Sequence, residues 1–535
     1  MRYSRALSSL LHRRSNVDWN HNLDFFRFTR GRFVSKEEEQ LAQRHAVFDM
    51  NQLCTIAGAA VGRQCTNVEK FADGLYNKAF LMTMDDQQEV VAKVPNPNAG
   101  IPRLTTASEA ATMDFMRSAL NTPAPRVLAW NSSGTNPVRA EYIIMEKAQG
   151  VQLASVLPTM SAEQKGQVIR AIARYQREWL KVSFHKIGSL FYAKDLPPPD
   201  QTKSCYSDAL DNPVWQSKFA LGPILDREWI DYGRGSIDGD SGPWMTALDY
   251  RRAVLQRDKE AIRSLEKLPT PLSMLCGPSL YQPTREKKLL ACEAALKALP
   301  HVLPNEPWAS RYHLWHDDLH EENIFVDAND PTVITSIIDW QSTSITPLFD
   351  HAVVPAFLQY DALAAQGLDP PAPPQLRDDL TPKEKSTALK QYEERVLSFG
   401  YKHMLEKNIP PAFDALVFEG SPSSAVLNAA RNLLEVGEAY CLGSIAALED
   451  CPVQFSESEM SELQRDAEKT EESINAMNVI KEALGPLFPE RGIVRPDQYS
   501  DAKAALRRVQ AQVVEKFSAN ADDRKRWQET WPFDS

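Results

Sequence analysis

The sequence predicts an α+β fold in which an antiparallel sheet precedes a mainly helical region. Short apolar stretches separated by turn residues run from Cys65 to Val94, which is typical of a strand meander. Long segments with helical periodicity occupy much of the chain after Thr381. Between these regions, a strand–turn–strand pattern from Asn323 to Ile338 is flanked by acidic residues. We therefore expect a short β-hairpin at the functional centre of the helical region.

The composition is that of a globular protein with a modest negative charge. The 535 residues are 43% hydrophobic, which is normal for a chain that buries a sizeable core. The formal net charge of −11 argues against a dedicated nucleic-acid binder. No apolar run reaches the roughly 18 residues of a membrane-spanning helix, so we expect no transmembrane segment. The seven cysteines include no C-x-x-C motif, which favours a reducing compartment without a zinc site.

The first 17 residues contain no acidic residue and several arginines and serines. Wound as a helix, they would place Arg2, Arg5 and Arg13 on one face and leucines on the other. This composition is typical of a mitochondrial transit peptide, and a disordered basic tail is the alternative. We expect residues 1–34 to form a mitochondrial transit segment and an N-terminal arm, with a cytoplasmic location as the alternative.

The segment from Asp24 to Phe33 interleaves aromatic and basic residues. Such interleaving occurs in proteins that bind single-stranded nucleic acids. In an acidic chain, however, we expect this segment to dock onto the rest of the protein.

The predicted meander carries two candidate nucleotide-binding residues. Strands are predicted on both sides of a turn that contains Gly74, and a third strand ends in Val-Val-Ala-Lys at Lys93. A lysine on the inner face of such a sheet suits contact with nucleotide phosphates, and an exposed strand lysine is the alternative. Gly74 alone is a weak signal because a single glycine also suits a hairpin turn.

A helix is predicted from Thr105 to Leu120, with Glu109 near its start. Glu109 has two possible roles. It is suited to an ion pair that orients Lys93, and Thr106-Ala-Ser-Glu109 also matches a capping box, in which Glu109 only binds the start of its own helix. We favour the ion pair and keep the capping box as the alternative.

The densest group of polar residues contains Asp318, Asn323 and Asp339. Four residues separate Asp318 from Asn323, and the predicted hairpin would return Asp339 beside them. Phosphoryl transfer from a nucleotide needs such a set. One carboxylate accepts or orients the substrate hydroxyl, while an amide oxygen and a second carboxylate hold Mg²⁺ against the phosphates. A carboxylate-rich surface hairpin is the alternative.

The pattern His-x-Asp-Leu-His-x-x-Asn-Ile, followed by Ile-Asp-Trp, resembles the aminoglycoside phosphotransferase and choline kinase-like family. The resemblance implies a two-lobed protein-kinase-like fold with an antiparallel-sheet N-lobe and a mainly helical C-lobe. It also implies ATP and Mg²⁺ as cofactors. The sequence departs from the usual family pattern at Asp317, where glycine is usual, and at Gln341, where glutamate is frequent. Neither departure removes a group that the chemistry requires.

The same resemblance assigns roles to individual residues. Asp318 is the expected catalytic base. The expected metal ligands are Asn323 and Asp339. Residues expected to bind the nucleotide, through side chains or through the backbone near the adenine, are Lys93, Glu109, Gly74, Glu146 and Ala148.

The expected domain organisation is an N-lobe at residues 35–148 and a C-lobe at residues 149–535. Within the C-lobe, we expect a substrate-side insertion at residues 197–307 and a helical C-terminal extension that includes one helix from Ala425 to Leu448. With its basic N-terminus and the aromatic and basic stretch Asp24–Phe33, the chain resembles the fungal group related to altered inheritance of mitochondria protein nine.

Two functions remain open at the level of sequence. The first is an ATP- and Mg²⁺-dependent phosphotransferase that acts on a hydroxyl of a small molecule, with a nucleotide and that molecule as its partners. The second is a nucleotide-binding pseudoenzyme or mitochondrial assembly factor without turnover. The complete set of Asp318, Asn323 and Asp339 favours the first, and the single-glycine turn slightly favours the second. The sequence predicts neither the acceptor nor the oligomeric state.

Overall fold

The computed structural model describes residues 17–197, 206–214, 217–269, 271–359 and 369–533. The predicted transit segment up to residue 16 and the start of the predicted insertion, residues 198–205, lie outside the described residues. The strands are β1 (Arg32–Phe33), β2 (Cys65–Lys70), β3 (Asn77–Met84), β4 (Glu89–Pro95), β5 (Val127–Asn131), β6 (Tyr142–Glu146), β7 (Val151–Gln152), β8 (Ser183–Phe184), β9 (Ser189–Tyr192), β10 (Tyr206–Ser207), β11 (Pro213–Val214), β12 (Phe219–Gly222), β13 (Tyr312–Leu314), β14 (Ile324–Val326), β15 (Ile334–Ile337), β16 (Ile345–Pro347) and β17 (Ile493–Val494).

The α-helices are α1 (Glu37–Ala42), α2 (Met50–Val61), α3 (Leu104–Ser118), α4 (Leu153–Val156), α5 (Ala162–Trp179), α6 (Arg227–Ile230), α7 (Ala247–Ser264), α8 (Arg285–Val302), α9 (Pro382–Asn408), α10 (Pro410–Glu419), α11 (Pro422–Arg431), α12 (Glu438–Ala446), α13 (Glu457–Leu484), α14 (Tyr499–Phe517) and α15 (Ala521–Glu529). None of the described helices combines the length and the hydropathy needed to cross a bilayer.

The described chain divides into two compact units. The first unit comprises the described residues up to Arg30, Glu38–Thr106 and Arg126–Lys147. Its centre is a five-stranded antiparallel sheet in the order β2-β3-β4-β6-β5, so the predicted meander is confirmed as β2, β3 and β4. Burial alternates along β3, because successive strand residues point to opposite faces of a sheet.

The second unit takes Gly31–Glu37, Ala107–Pro125 and the chain from Ala148 onward, and it is mainly helical. One apolar core joins α7, α8, α11 and α12, and another joins α13 to α15. The predicted helix Ala425–Leu448 is two helices instead, because Gly437 lies between α11 and α12 at φ +128. The expected α+β class is confirmed, and the predicted domain boundaries stay a prediction.

A small three-stranded sheet in the second unit holds the predicted hairpin. Its order is β15-β14-β7, and Val151 of β7 lies opposite Val326 of β14. Gly150 precedes β7 with φ +87, and a Cβ atom added there would lie 2.0 Å from the carbonyl oxygen of Val326. The close approach of these two strands therefore requires a glycine at this position.

Candidate active site

The loop between β13 and β14, hereafter the catalytic loop, is held by its own hydrogen bonds. The backbone N–H of His320 donates to the carbonyl oxygen of Asp318 at 3.0 Å. The side-chain amide of Asn323 donates to the same carbonyl oxygen at 2.9 Å. Both bonds use the backbone of Asp318 and leave its carboxylate out. That carboxylate is 73% exposed, and the nearest His320 nitrogen lies 3.6 Å away, beyond hydrogen-bonding distance.

The predicted hairpin is confirmed as β14 and β15. Ile324 lies opposite Ile337, and the N–H of Ile338 donates to the carbonyl oxygen of Asn323 at 3.0 Å. Asp339 follows directly, so the return strand delivers it next to the end of the catalytic loop. Its φ of +63 is uncommon for a residue with a side chain, and its side chain is exposed. Such backbone outliers cluster at functional sites, where the surrounding structure holds them.

Three buried tryptophans lie beneath the catalytic loop and the hairpin. Trp179 packs edge-on against Trp315, which precedes the loop, and against Trp340, which follows Asp339. The ring centroids are 5.2 Å and 5.9 Å apart, respectively, which are favourable separations for edge-to-face aromatic pairs. This packing gives both ends of the site a rigid base.

His316 joins the loop to the hairpin. Its Nε2 atom lies 2.9 Å from the carbonyl oxygen of Ile338, and its ring meets Trp340 edge-on at 4.6 Å. Because a carbonyl oxygen can only accept, Nε2 donates this hydrogen bond, and burial lowers the pKa of His316. His316 therefore braces the residue before Asp339. Sequence reasoning included His316 in the motif without assigning it this role.

Asp317 and His351 form an ion pair in the second unit. His351 Nδ1 lies 3.0 Å from both carboxylate oxygens of Asp317, and the N–H of Ala352 donates to one of these oxygens at 3.0 Å. On the other side of the ring, His351 Nε2 lies 3.0 Å from the carbonyl oxygen of His313. Because both ring nitrogens face acceptor oxygens, the doubly protonated imidazolium fits this position.

The pKa values of the two partners shift in opposite directions. For Asp317, partial removal from water opposes ionisation, but the charge and hydrogen bond of His351 outweigh this and lower the pKa. For His351, burial opposes protonation, but the carboxylate of Asp317 outweighs it and raises the pKa, with a smaller contribution from Asp226. Asp317 therefore places a paired charge where the resembled family usually has glycine. Sequence reasoning missed His351, because it lies 34 residues from Asp317 and no local pattern links them.

We expect Asp317→Asn to reduce the free energy of unfolding most between about pH 4 and 6.5. Ionised Asp317 contributes stability above the unfolded carboxyl pKa, and this is lost as the pH falls through its lowered folded value. Protonated His351 contributes fully below the unfolded imidazole pKa of about 6.5, and this is lost as the pH rises through its raised folded value. Because Asp317 is 45% exposed, we expect a loss of only about 1 kcal/mol.

Urea unfolding at several pH values measures this difference, with the exposed Glu322→Gln as a control in the same loop. A difference between the parent and Asp317→Asn that stays constant up to about pH 9 would count against the ion pair.

The remaining candidate residues fall in both units. Lys93 lies in β4 opposite Ala79 and Ile143 and is only 8% exposed, so the alternative of an exposed strand lysine is wrong. Gly74 lies in the turn between β2 and β3, and a Cβ atom there would lie no closer than 3.6 Å to its neighbours. The fold itself therefore does not require a glycine at this position.

Glu109 is buried in α3, which begins at Leu104. Thr106 thus lies inside the helix rather than at its N-cap, so the capping-box alternative is wrong. Glu146 ends β6, and its side chain accepts a hydrogen bond from Arg126 at 3.0 Å. Ala148 is the first residue of the second unit after β6.

The donor atoms at the catalytic loop fit a hard cation. The side-chain nitrogen of Asn323 is engaged with Asp318, which leaves its oxygen as the atom for a metal. Together with the carboxylate of Asp339, it offers oxygen ligands only. Within the described parts of the chain, no three His, Cys, Asp or Glu side chains form a ready metal cluster. A Mg²⁺ ion here would take its other ligands from water and phosphate, as Mg²⁺ sites usually do.

The sequence of the chain is similar to those of known proteins. A sequence model of the phosphotransferase enzyme family matches residues 67–369, which is more than half of the 535 residues. The Aspergillus fumigatus subtelomeric hrmA-associated cluster protein is 28% identical over 513 residues, which cover 88% of this chain and 97% of that protein. Debaryomyces hansenii altered inheritance of mitochondria protein 9, mitochondrial, is 23% identical, with coverage of 63% of this chain and 56% of that protein.

Among solved structures, amicoumacin kinase hAmiN in complex with AMP-PNP, Ca²⁺ and Ami is 13% identical. The match covers 79% of this chain and 93% of that chain, with a TM-score of 0.34. The family match includes the sheet of the first unit, the catalytic loop and all eight candidate residues. The resemblance to this family and to the fungal group is confirmed. The chain therefore belongs to the phosphotransferase enzyme family.

Proposed function

We propose that the protein is an ATP- and Mg²⁺-dependent phosphotransferase that acts on a hydroxyl group of a small molecule. Family membership supports kinase-like activity in general. The observation that carries the finer proposal is the arrangement at the catalytic loop. Three polar side chains follow one another around a single hairpin. They are the exposed carboxylate of Asp318, the hydrogen-bonded amide of Asn323 and the carboxylate of Asp339, whose φ is unusual.

In the proposed reaction, the oxygen of the acceptor hydroxyl attacks the γ-phosphorus of ATP, and Asp318 accepts the proton of that hydroxyl. The bond between that phosphorus and the bridging oxygen breaks, and ADP leaves. Asn323 and Asp339 would hold Mg²⁺, which neutralises phosphate charge when bound. We assign His316 the task of keeping the two metal-ligand segments in register, through its bond to Ile338.

The nucleotide-binding roles belong to the same proposal. Lys93 would contact the phosphates and Glu109 would orient it. Gly74 would let the backbone approach the phosphates, since the fold gives no other reason for a glycine there. Backbone groups near Glu146 and Ala148 would contact the adenine.

Binding of MgATP tests this proposal directly. A ligand present at 100 times its Kd raises the free energy of unfolding by about 2.7 kcal/mol, so the parent should melt at a higher temperature with MgATP. We expect Lys93→Ala and Asp339→Ala to lose most of this increase, measured by differential scanning fluorimetry. Matched controls are Lys181→Ala, an exposed lysine paired only with Glu178, and the exposed Glu322→Ala. An undiminished increase in both test variants would reject the nucleotide site.

A nucleotide-binding factor without turnover is the second candidate, favoured only by the single glycine of the β2–β3 turn. Formation of ADP with a panel of hydroxylated metabolites separates the two, because only the enzyme consumes ATP when its acceptor is present. We also propose a mitochondrial location, supported by the names of relatives such as the Debaryomyces hansenii protein and by the basic first residues. Organelle fractionation of the full chain tests this placement, and a cytosolic signal alone would reject it.

A further inference from the structure

The segment Asp18–Arg30, hereafter the N-terminal arm, is anchored at its start to the residues that open α2. The side-chain amide of Asn51 donates to Asp18 at 2.7 Å, and the N–H of Trp19 donates to the Asn51 side chain at 2.9 Å. The N–H of Met50 donates to the Asn20 side chain at 2.8 Å. These side-chain and backbone hydrogen bonds fix the first residues of the arm on the first unit.

The middle of the arm is held by aromatic packing. Phe25 meets Phe80 of β3 edge-on, with ring centroids 5.5 Å apart. Phe26 meets Phe48 in the same way at 5.0 Å, and its carbonyl oxygen accepts from the N–H of Ala46. The aromatic and basic segment therefore docks onto the sheet, as expected for an acidic chain.

The end of the arm binds the turn between β2 and β3 through Asp73. This carboxylate has no exposed surface. It accepts hydrogen bonds from the N–H and the hydroxyl of Thr29, at 2.7 and 2.8 Å. It also pairs with Lys70 at 2.6 Å and with Lys78 at 3.4 Å. One side chain in the turn thus joins both flanking strands to the arm.

Lys70, Asp73 and Lys78, hereafter the ion cluster, complete this connection. The ammonium of Lys70 donates to the carbonyl oxygens of Asp24 and Arg27, at 2.8 Å each. Lys78 donates to the Arg27 carbonyl oxygen at 3.0 Å. Burial lowers the pKa of Lys78 to about 8, with Asp73 opposing and Lys70 and Arg44 adding to the shift. The ion cluster thus sets two lysines against one carboxylate.

An ion cluster is an energetically unfavourable means of attaching a segment that aromatic packing already holds. Removing charges from water is energetically unfavourable, and apolar residues would attach the arm as well. What the ion cluster adds is a definite position, because each hydrogen bond has a fixed direction and length. It lies at the turn between β2 and β3, which contains Gly74.

We infer that the N-terminal arm is a positioning element for the nucleotide, and that Asp73 is the positioning residue through which it holds the β2–β3 turn. This inference rests on the proposed function, in which the turn approaches the phosphates. A turn fixed in advance loses less conformational entropy on binding than a mobile loop does.

The experiment uses the full chain and two measurements. We expect Asp73→Asn to weaken MgATP binding about tenfold by calorimetry, since a charged acceptor of four hydrogen bonds is lost. Hydrogen exchange of residues 71–76 without nucleotide should become faster. Because Asp73 is buried, Thr29→Val is a milder second test, with about threefold weaker binding expected and with recovery in Thr29→Ser. The matched control is Asp86→Asn, which removes an exposed ion pair with Arg63 from the neighbouring turn.

A positioning role also predicts a higher KM for ATP at unchanged kcat, whereas a merely structural role lowers the melting temperature without altering KM. If the parent binds MgATP and Asp73→Asn and Thr29→Val bind it equally well, the inference alone is overturned. Unchanged hydrogen exchange in the turn overturns it as well. If the parent itself does not bind MgATP, the proposed function is rejected and the inference is rejected with it.

Discussion

Replacement of Asp318 by asparagine should lower turnover by about a hundred- to ten-thousand-fold, with the affinity for MgATP little changed. A positioned general base contributes about this much, and asparagine keeps the size of the side chain but cannot accept the proton. The catalytic loop should keep its shape, because Asn323 and His320 bind the backbone carbonyl of Asp318 and not its carboxylate. The measurement is steady-state formation of ADP with an identified acceptor.

The matched control is Glu322→Gln, which removes one exposed acidic group from the same loop and should retain full turnover. Thermal unfolding of Asp318→Asn separates catalysis from structure. A carboxylate that is 73% exposed contributes little to folding, so the melting temperature should stay within the error of the parent. Turnover equal to that of the parent would reject Asp318 as the base. A large loss of stability would assign it a structural role instead.

Replacement of Gly150 by alanine should reduce the free energy of unfolding of the second unit by about 3 kcal/mol or more. The left-handed backbone at φ +87 costs an alanine roughly 1–2 kcal/mol. The added Cβ atom would also lie 2.0 Å from the carbonyl oxygen of Val326 and 2.8 Å from its carbonyl carbon. These are backbone atoms, so no side-chain rotation relieves the overlap, and β7 and β14 must separate.

Urea unfolding followed by circular dichroism measures this loss, with Gly400→Ala as the matched control. Gly400 lies inside α9, and a Cβ atom there meets no atom within 4 Å. Alanine at Gly400 should be neutral or stabilise the protein by up to about 1 kcal/mol. Equal midpoints for Gly150→Ala and the parent would show that the strands tolerate the change. Because β14 begins directly after Asn323, we also expect Gly150→Ala to lower activity at temperatures where it remains folded.

The sequence predicted those parts of the fold that depend on neighbouring residues. Alternating apolar residues and a turn gave the hairpin of β14 and β15, and with it the order of Asp318, Asn323 and Asp339. The β2–β4 meander was predicted for the same reason. Where two local signals competed, at Glu109, the structure removed one of them. The capping-box alternative at Thr106 was wrong because α3 already begins at Leu104, so Thr106 lies inside the helix.

By itself, then, the sequence determined the class of fold, the family and the set of candidate catalytic groups. Only the tertiary structure showed which other side chains hold these candidate groups and the neighbouring turns in place. Asp317 is paired with His351, 34 residues away, and Asp73 with Thr29, 44 residues away. The physical reason is that a turn or strand depends on a few consecutive residues. The partner of a charged side chain, in contrast, is one of the groups that the packing of distant segments brings close to it. The spacing of residues along the chain therefore does not predict which group becomes the partner.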